Sequence, residues 1–181
     1  MKFAGNYAAG FAAHGRAGAA GHDQVLWLDA VEHRWIEELN AMNVVCVWSR
    51  DGRTEVTTPP LTGTILEGVT RDSLLTLAAE EPTIDAVRTE RTSIDMVRAG
   101  VADGTLIEMF ACGTAAVIAP IGTVADGEDL LKVGTGEPGP VTTLLRRRLL
   151  DVQQGLVPDE RGWLVRPADV LARAGVALPP R

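Results

Sequence analysis

The 181-residue sequence is short of several things. It has two cysteines, Cys46 and Cys112. That excludes a disulfide scaffold and a cysteine-rich metal site. The three histidines, His14, His22 and His33, have spacings that match no zinc pattern, so no metal is expected. No stretch of about 18 apolar residues is free of charge or glycine, so no membrane span is expected. Basic charge is also scarce: 17 Lys and Arg face 24 Asp and Glu, for a net charge of -7 and a pI near 4.9. Such a chain lacks the basic surface that nonspecific nucleic-acid or anionic-membrane binding requires. Lysine is rarest of the cations, present as Lys2 and Lys132 only. The Ala-rich run after Lys2 carries His14 and Arg16, which breaks the apolar region of a secretory signal. A cytoplasmic chain is expected.

What is present is the composition of one globular domain. Apolar residues make up 46% and charged residues 23%, enough to bury a core. Residues 6–20 read as an Ala-rich helix with Asn6 as N-cap. Gly10, Gly15 and Gly18 each weaken it by about 0.5–1 kcal/mol relative to Ala, so packing must hold it, and Gly21 ends it. Residues 25–28 form a short buried strand, 32–38 are polar, and 44–48 are a β-branched run. Asp51-Gly52 signals a hairpin with 54–58 as the return strand, which Pro59-Pro60 stops. Residues 61–69 are a loop, and Thr70 is the N-cap of a helix through Ala78. A second helix spans 94–99. Strands at 106–110 and 116–119 flank a tight Cys112-Gly113-Thr114 turn. Residues 134–140 are a Gly/Pro loop, and 141–154 an amphipathic helix. After Trp163-Leu164-Val165 comes a Pro/Ala/Arg tail over 166–181 with room for a short helix. Strands and helices mix without βαβ alternation, which indicates an α+β fold.

Few residues carry chemistry on their own account. By position alone Lys2 is a surface charge on a loose terminus. Arg146-Arg147-Arg148 is a basic run on a helix and reads as a solvated face. Glu37-Glu38 lies between apolar strands, where surface carboxylates are common. Gly68-Val69-Thr70-Arg71 is an open turn leading into a helix, whose N–H groups and Thr hydroxyl suit an anion. Gly113-Thr114-Ala115 is a second turn of small residues that could offer N–H groups to a carboxylate or phosphate. Each turn alone is a weak signal.

Taken in order, the segments resemble a definite family. They are Lys2-Phe3-Ala4-Gly5-Asn6-Tyr7-Ala8-Ala9, Asp23-Gln24-Val25-Leu26-Trp27-Leu28-Asp29-Ala30, and Glu37-Glu38 leading to Met42-Asn43. Then come Thr58-Pro59-Pro60-Leu61-Thr62-Gly63, Gly68-Val69-Thr70-Arg71-Asp72-Ser73, and Phe110-Ala111-Cys112-Gly113-Thr114-Ala115-Ala116-Val117-Ile118. Gly139-Pro140-Val141-Thr142, Asp151-Val152-Gln153-Gln154-Gly155 and Gly162-Trp163 complete the set. Over residues 2–165 the chain resembles the branched-chain amino-acid aminotransferases, fold-type IV enzymes that use pyridoxal phosphate (PLP).

The resemblance implies an α+β fold, a β pseudo-barrel flanked by helices. It implies that Lys2 holds PLP as a Schiff base and shuttles the proton between the substrate α-carbon and the cofactor. Tyr7 would bond the cofactor's phenolic oxygen, and Glu38 would pair with its ring nitrogen. Leu66, Gly68, Val69, Thr70 and Thr114 complete the implied cofactor set, Val69 and Thr70 as a phosphate cup. The Thr114-Ala115 turn would bind the substrate carboxylate. The implied reaction moves an amino group between leucine, isoleucine or valine and 2-oxoglutarate. Family members carry an N-terminal domain before the lysine, whereas one residue precedes it here. The expectation is a large PLP domain over 1–165 with a tail over 166–181, completed by a homodimer partner or a complementing N-terminal domain.

The sequence departs from the family at Asn40 and Ala41, where Gly and Thr or Gly are usual, and at Glu67, where Pro is usual. A carboxylate beside a phosphate is unfavourable unless it points away. Ala116 and Ala119 leave no Cys-x-x-Cys pair, so no thiol switch follows. A D-amino-acid aminotransferase or aminodeoxychorismate lyase shares the fold; the 23–30 segment and Met42-Asn43 favour the branched-chain type. A domain that folds or binds PLP without turnover is the non-enzyme alternative.

Overall fold

A computed structural model describes residues 4–175; Lys2 and the end of the 166–181 tail lie outside them. Two short helices, α1 (Ala4–Ala8) and α2 (Phe11–Ala19), lead into strands β1 (Leu26–Leu28), β2 (Ile36–Leu39), β3 (Met42–Arg50) and β4 (Arg53–Thr58). Helix α3 (Val69–Ala79) crosses to β5 (Ala86–Thr89), which pairs with β4 in parallel. Helix α4 (Ile94–Asp103) precedes β6 (Leu106–Gly113) and β7 (Val117–Pro120). A separate hairpin, β8 (Thr123–Asp126) with β9 (Asp129–Lys132), leads to α5 (Pro140–Gln153) and α6 (Pro167–Arg173).

Strand β3 organises a seven-stranded sheet, antiparallel except at β5. It carries β6 along one edge, and β2 and then β4 along the other. Its run Val44-Val45-Cys46-Val47-Trp48 is buried throughout, and the pleat sends alternate residues to opposite faces. Val45 and Val47 join Val56 and Phe110 against Leu74 and Leu77 of α3 and Leu145 and Leu149 of α5. Val44, Cys46 and Trp48 join Met109 against Val97 of α4 and Val124 of β8. Both faces of the sheet are therefore covered, and the class is α+β as expected. Burial pushes both thiols, Cys46 and Cys112, up to about 12, so they stay neutral at ordinary pH.

Helix α5 is fixed by an unusual cap. Gly139 precedes it and has no side chain to offer, and Pro140 brings no N–H. The carboxylate of Glu108, buried on β6, accepts instead from Val141 N (2.9 Å) and Thr142 N (2.7 Å). A Cβ at Gly139 would land on that carboxylate.

The structure differs from the sequence reading in a few elements. The N-terminal helix is two helices, broken where Gly10 packs on Trp27; a Cβ there would sit 3.2 Å from the indole. Asn6 falls inside α1 rather than at a cap. Helix α3 begins at Val69 with Gly68, not Thr70, as its N-cap. Strands β2, β5, β8 and β9 are additional. They are four residues long and carry charges, so their alternation is too short to read.

Glu108→Ala should destabilise the chain by on the order of 2–3 kcal/mol, because two buried N–H groups lose a charged acceptor. Urea unfolding followed by circular dichroism checks this; a loss below about 0.5 kcal/mol would show that the cap is dispensable.

Candidate active site

A cavity of about 640 Å³ opens where the N-terminal helices meet the end of the sheet. Tyr7 reaches it from α1, Phe11 and His14 from α2, Trp27 from β1, Glu38 from β2 and Leu66 from the loop before α3.

Glu38 stands where it does because the preceding loop is folded around one carboxylate. Asp29 accepts from the N–H groups of Glu32 (2.6 Å), Trp35 (2.8 Å), Arg34 (2.9 Å) and Val31 (3.1 Å). These donors, Glu32 first, then Trp35 and Arg34, hold its carboxyl well below the usual carboxylate range. The loop delivers Trp35 to Ser93 and starts β2 at Ile36.

Once on β2, Glu38 pairs in register with Asn43 of β3, which pairs with Cys112 of β6, which pairs with Ile118 of β7. Glu38 Oε1 accepts from Leu66 N at 2.5 Å, and Asn43 Nδ2 donates to Leu66 O at 2.8 Å. Thr64 donates to Glu37 Oε1 at 2.6 Å. Three side chains of the sheet thus pin the 64–66 segment. Asn43 also fills the space over Gly68, where a Cβ would collide with its amide oxygen. That close approach is why a glycine precedes α3.

The first turn of α3 closes through Asp72 N donating to Gly68 O at 3.0 Å, and no side chain caps it. Val69 is exposed, Thr70 half-buried, and Glu67 exposed. Thr114 and Ala115 form the exposed β6–β7 turn. Gly113 packs that turn onto the β2–β3 turn, 3.2 Å from Met42 Cγ and 4.0 Å from Ala41 O when a Cβ is placed on it. Val117, which closes the turn, has φ 59°, an outlier for a β-branched residue that costs of order 1–3 kcal/mol.

Of the residues singled out from sequence, Tyr7, Glu38 and Leu66 line the cavity. Gly68, Val69 and Thr70 follow directly on its Gly63–Leu66 rim, and the Thr114-Ala115 turn stands beside its Ala41 wall. Lys2 lies outside the described residues. Asn43 stands in the Met42-Asn43 segment of the resemblance, which assigns it no role; the structure gives it one in the site. His14 likewise lines the cavity, 3.3 Å from Asn40 Nδ2, and Asn40 also donates to Gln24 Oε1. Among the described residues no His, Cys, Asp and Glu cluster could hold a metal ion.

Comparison with known proteins gives the geometry a family. The pattern of amino-transferase class IV matches residues 4–124. The chain belongs to amino-transferase class IV. It is 46% identical over 165 residues to a branched-chain-amino-acid aminotransferase of Mycobacterium tuberculosis, covering 91% of this chain and 44% of that protein. A probable branched-chain-amino-acid aminotransferase of Streptomyces coelicolor is 48% identical over 169 residues, covering 90% and 43%. This class IV chain thus spans less than half the length of these curated relatives. Among solved structures it is similar to a T.th. branched-chain amino acid aminotransferase complexed with N-(5'-phosphopyridoxyl)-L-glutamate, with TM-score 0.73 and 31% identity, over 91% of this chain and 50% of that one. It is also similar to the PLP-form enzyme of Thermobaculum terrenum, with TM-score 0.71 and 29% identity, over 91% and 48%. The resemblance read from the ordered motifs is borne out.

The Asp29 carboxyl ties the stability of this loop to pH. Its folded pKa is below the unfolded value of about 3.9, so its stabilisation is complete above that pH and is lost as pH falls through the lowered value. Amide exchange of residues 31–35 should stay slow down to about pH 4 in the parent and be fast throughout in Asp29→Ala. Equal protection in both would dismiss the carboxylate as the loop's organiser.

Proposed function

We propose that the chain is the cofactor domain of a PLP-dependent branched-chain amino-acid aminotransferase, with residues 1–165 as that domain and 166–181 as a tail. The observation that supports it most is the convergence of Tyr7 and Glu38 on one cavity beside a loop and helix start of the expected sequence. The residues present fit the cofactor. A carboxylate faces the cavity for a ring nitrogen, a phenol for a ring oxygen, and an uncapped helix start for a phosphate. The volume suits a small cofactor with its substrate.

When bound, PLP supplies an electron sink for charge developing at a substrate α-carbon. The chain's part is to hold and to move protons. Glu38, fixed by the Leu66 N–H, keeps a proton on a ring nitrogen without having to reorganise. Tyr7 orients the ring oxygen. Lys2 anchors the cofactor through its amine and carries the proton to and from the α-carbon. Gly68, Val69, Thr70 and Thr114 seat the phosphate, and Thr114 with Ala115 receives the substrate carboxylate. The substrates are leucine, isoleucine or valine with 2-oxoglutarate, and the setting is the cytoplasm. A homodimer partner or a complementing N-terminal domain closes the cavity, since removing water strengthens every polar contact in it.

The test is the intact mass of the chain after mixing with PLP and reducing with borohydride. One pyridoxyl phosphate on Lys2 is expected, and none in Lys2→Ala; an unchanged adduct in that variant would falsify the assignment of Lys2. Glu38→Gln should keep the adduct yet lower turnover of leucine with 2-oxoglutarate by about 100-fold or more in the closed assembly. Equal turnover would remove Glu38 from the electron-sink role. No adduct in the parent chain would mark an incomplete domain.

A further inference from the structure

Arg71 is the one buried arginine among the described residues, with 6% of its surface exposed. It sits in the first turn of α3. Its Nη2 donates to Pro59 O at 3.0 Å and its Nε to Thr58 Oγ1 at 3.3 Å. The Thr58 hydroxyl passes the connection on to Val44 O of β3 at 2.7 Å. All three acceptors are neutral. The Cys112 thiol, which acts on it through space, is itself neutral at ordinary pH.

The other half-buried arginines are balanced differently. Arg50 meets Glu55 and Glu90, Arg98 meets Asp126 and Asp129, Arg148 meets Glu80 and Glu81, and Arg161 meets Glu80. No described carboxylate forms an ion pair with Arg71; Asp72, next in the chain, is exposed and acts only through space. A buried charge left with neutral acceptors is costly unless an anion completes its surroundings. Burial indeed lowers its pKa, though not enough to discharge an arginine.

Two turns are near Arg71 and Cys112 in the chain. One is the uncapped start of α3, whose N–H groups and dipole favour an anion. The other begins two residues after Cys112, at Thr114. We propose that Arg71 is a positioning residue of the phosphate seat, clamping the first turn of α3 to the end of β4, its buried charge balanced by the cofactor's phosphate rather than by a protein carboxylate. This rests on the reading of the chain as a PLP domain. Arg71 touches no reacting atom. It sets the direction of the Val69 and Thr70 N–H groups and supplies positive potential from behind them.

The experiment compares the affinity of the purified chain for pyridoxal 5'-phosphate with that for pyridoxal, by equilibrium dialysis. The ratio isolates the phosphate's contribution, so a general loss of fold or pocket cancels from it. Arg71→Gln and Arg71→Met are both made. Gln keeps one donor for Pro59 O, whereas Met fills the volume, so that one folds if the other does not; thermal unfolding verifies this. The parent should favour the phosphorylated form, and the ratio should fall at least about tenfold in the folded neutral variants. Arg71→Lys should restore it to within about threefold of the parent. A parent-like ratio in a folded neutral variant would overturn the role of Arg71 and leave the PLP reading standing. A parent chain with no preference for the phosphorylated form would overturn both.

Discussion

The backbone of Leu66 is the joint on which the rest of the site depends. Its N–H is taken by Glu38 and its C=O by Asn43, neighbours in register on β2 and β3. With the peptide plane on each side of Leu66 held by a side chain of a rigid sheet, neither its φ nor its ψ can turn freely without breaking a bond. The chain on either side inherits that orientation. Upstream, Thr64 is tied to Glu37; downstream, Gly68 lies against Asn43 and α3 starts from a fixed point. The same bond holds the Glu38 carboxylate still, so the group that faces the cavity is positioned by the loop that bounds it.

This arrangement lies where the sheet's apolar pattern ends. Val45 and Phe110 pair in register and are buried in the core between α3 and α5. One pleat further on the same face, the pair is Asn43 and Cys112. The polar groups buried here have partners: Asn43 has Leu66, Thr58 has Val44, and Arg71 has Thr58 and Pro59. Satisfying them within the protein gives a rim as fixed as the core beneath it. Glu108 applies the same logic at α5, where a strand carboxylate takes the place of a local cap.

The long elements are legible in the sequence because their patterns repeat. The run through Trp48 reads as a β-branched strand, which the structure buries on both faces, and Asp51-Gly52 turns with φ 51° and 74° as a two-residue hairpin demands. Helices α4 and α5 follow from apolar spacing. Strand β2 is hidden, since Ile36-Glu37-Glu38-Leu39 shows two carboxylates and no alternation. Its existence depends on Asp29 and on pairing with β3, which are tertiary facts. For the same reason the ordered motifs point to Glu38 while composition cannot separate it from a surface carboxylate. Asn43 is flagged by the ordered motifs, but its role escapes, because its work is to hold a backbone and no spacing rule encodes a partner 23 residues away.

Asn40 illustrates how a departure from the family pattern can be absorbed locally. It occupies the β2–β3 turn with φ 51°, a conformation that glycine takes freely and asparagine tolerates better than most residues. Its amide then reaches Gln24 and His14, joining the turn to the β1 approach and to α2. Helix α2 has no buried residue of its own, so it has little apolar packing to hold it in place. The side chain that glycine would lack thus anchors a cavity wall that packing leaves weak. The turn keeps its backbone shape, Glu38 keeps its register with Asn43, and the substitution changes the wall of the cavity rather than its floor.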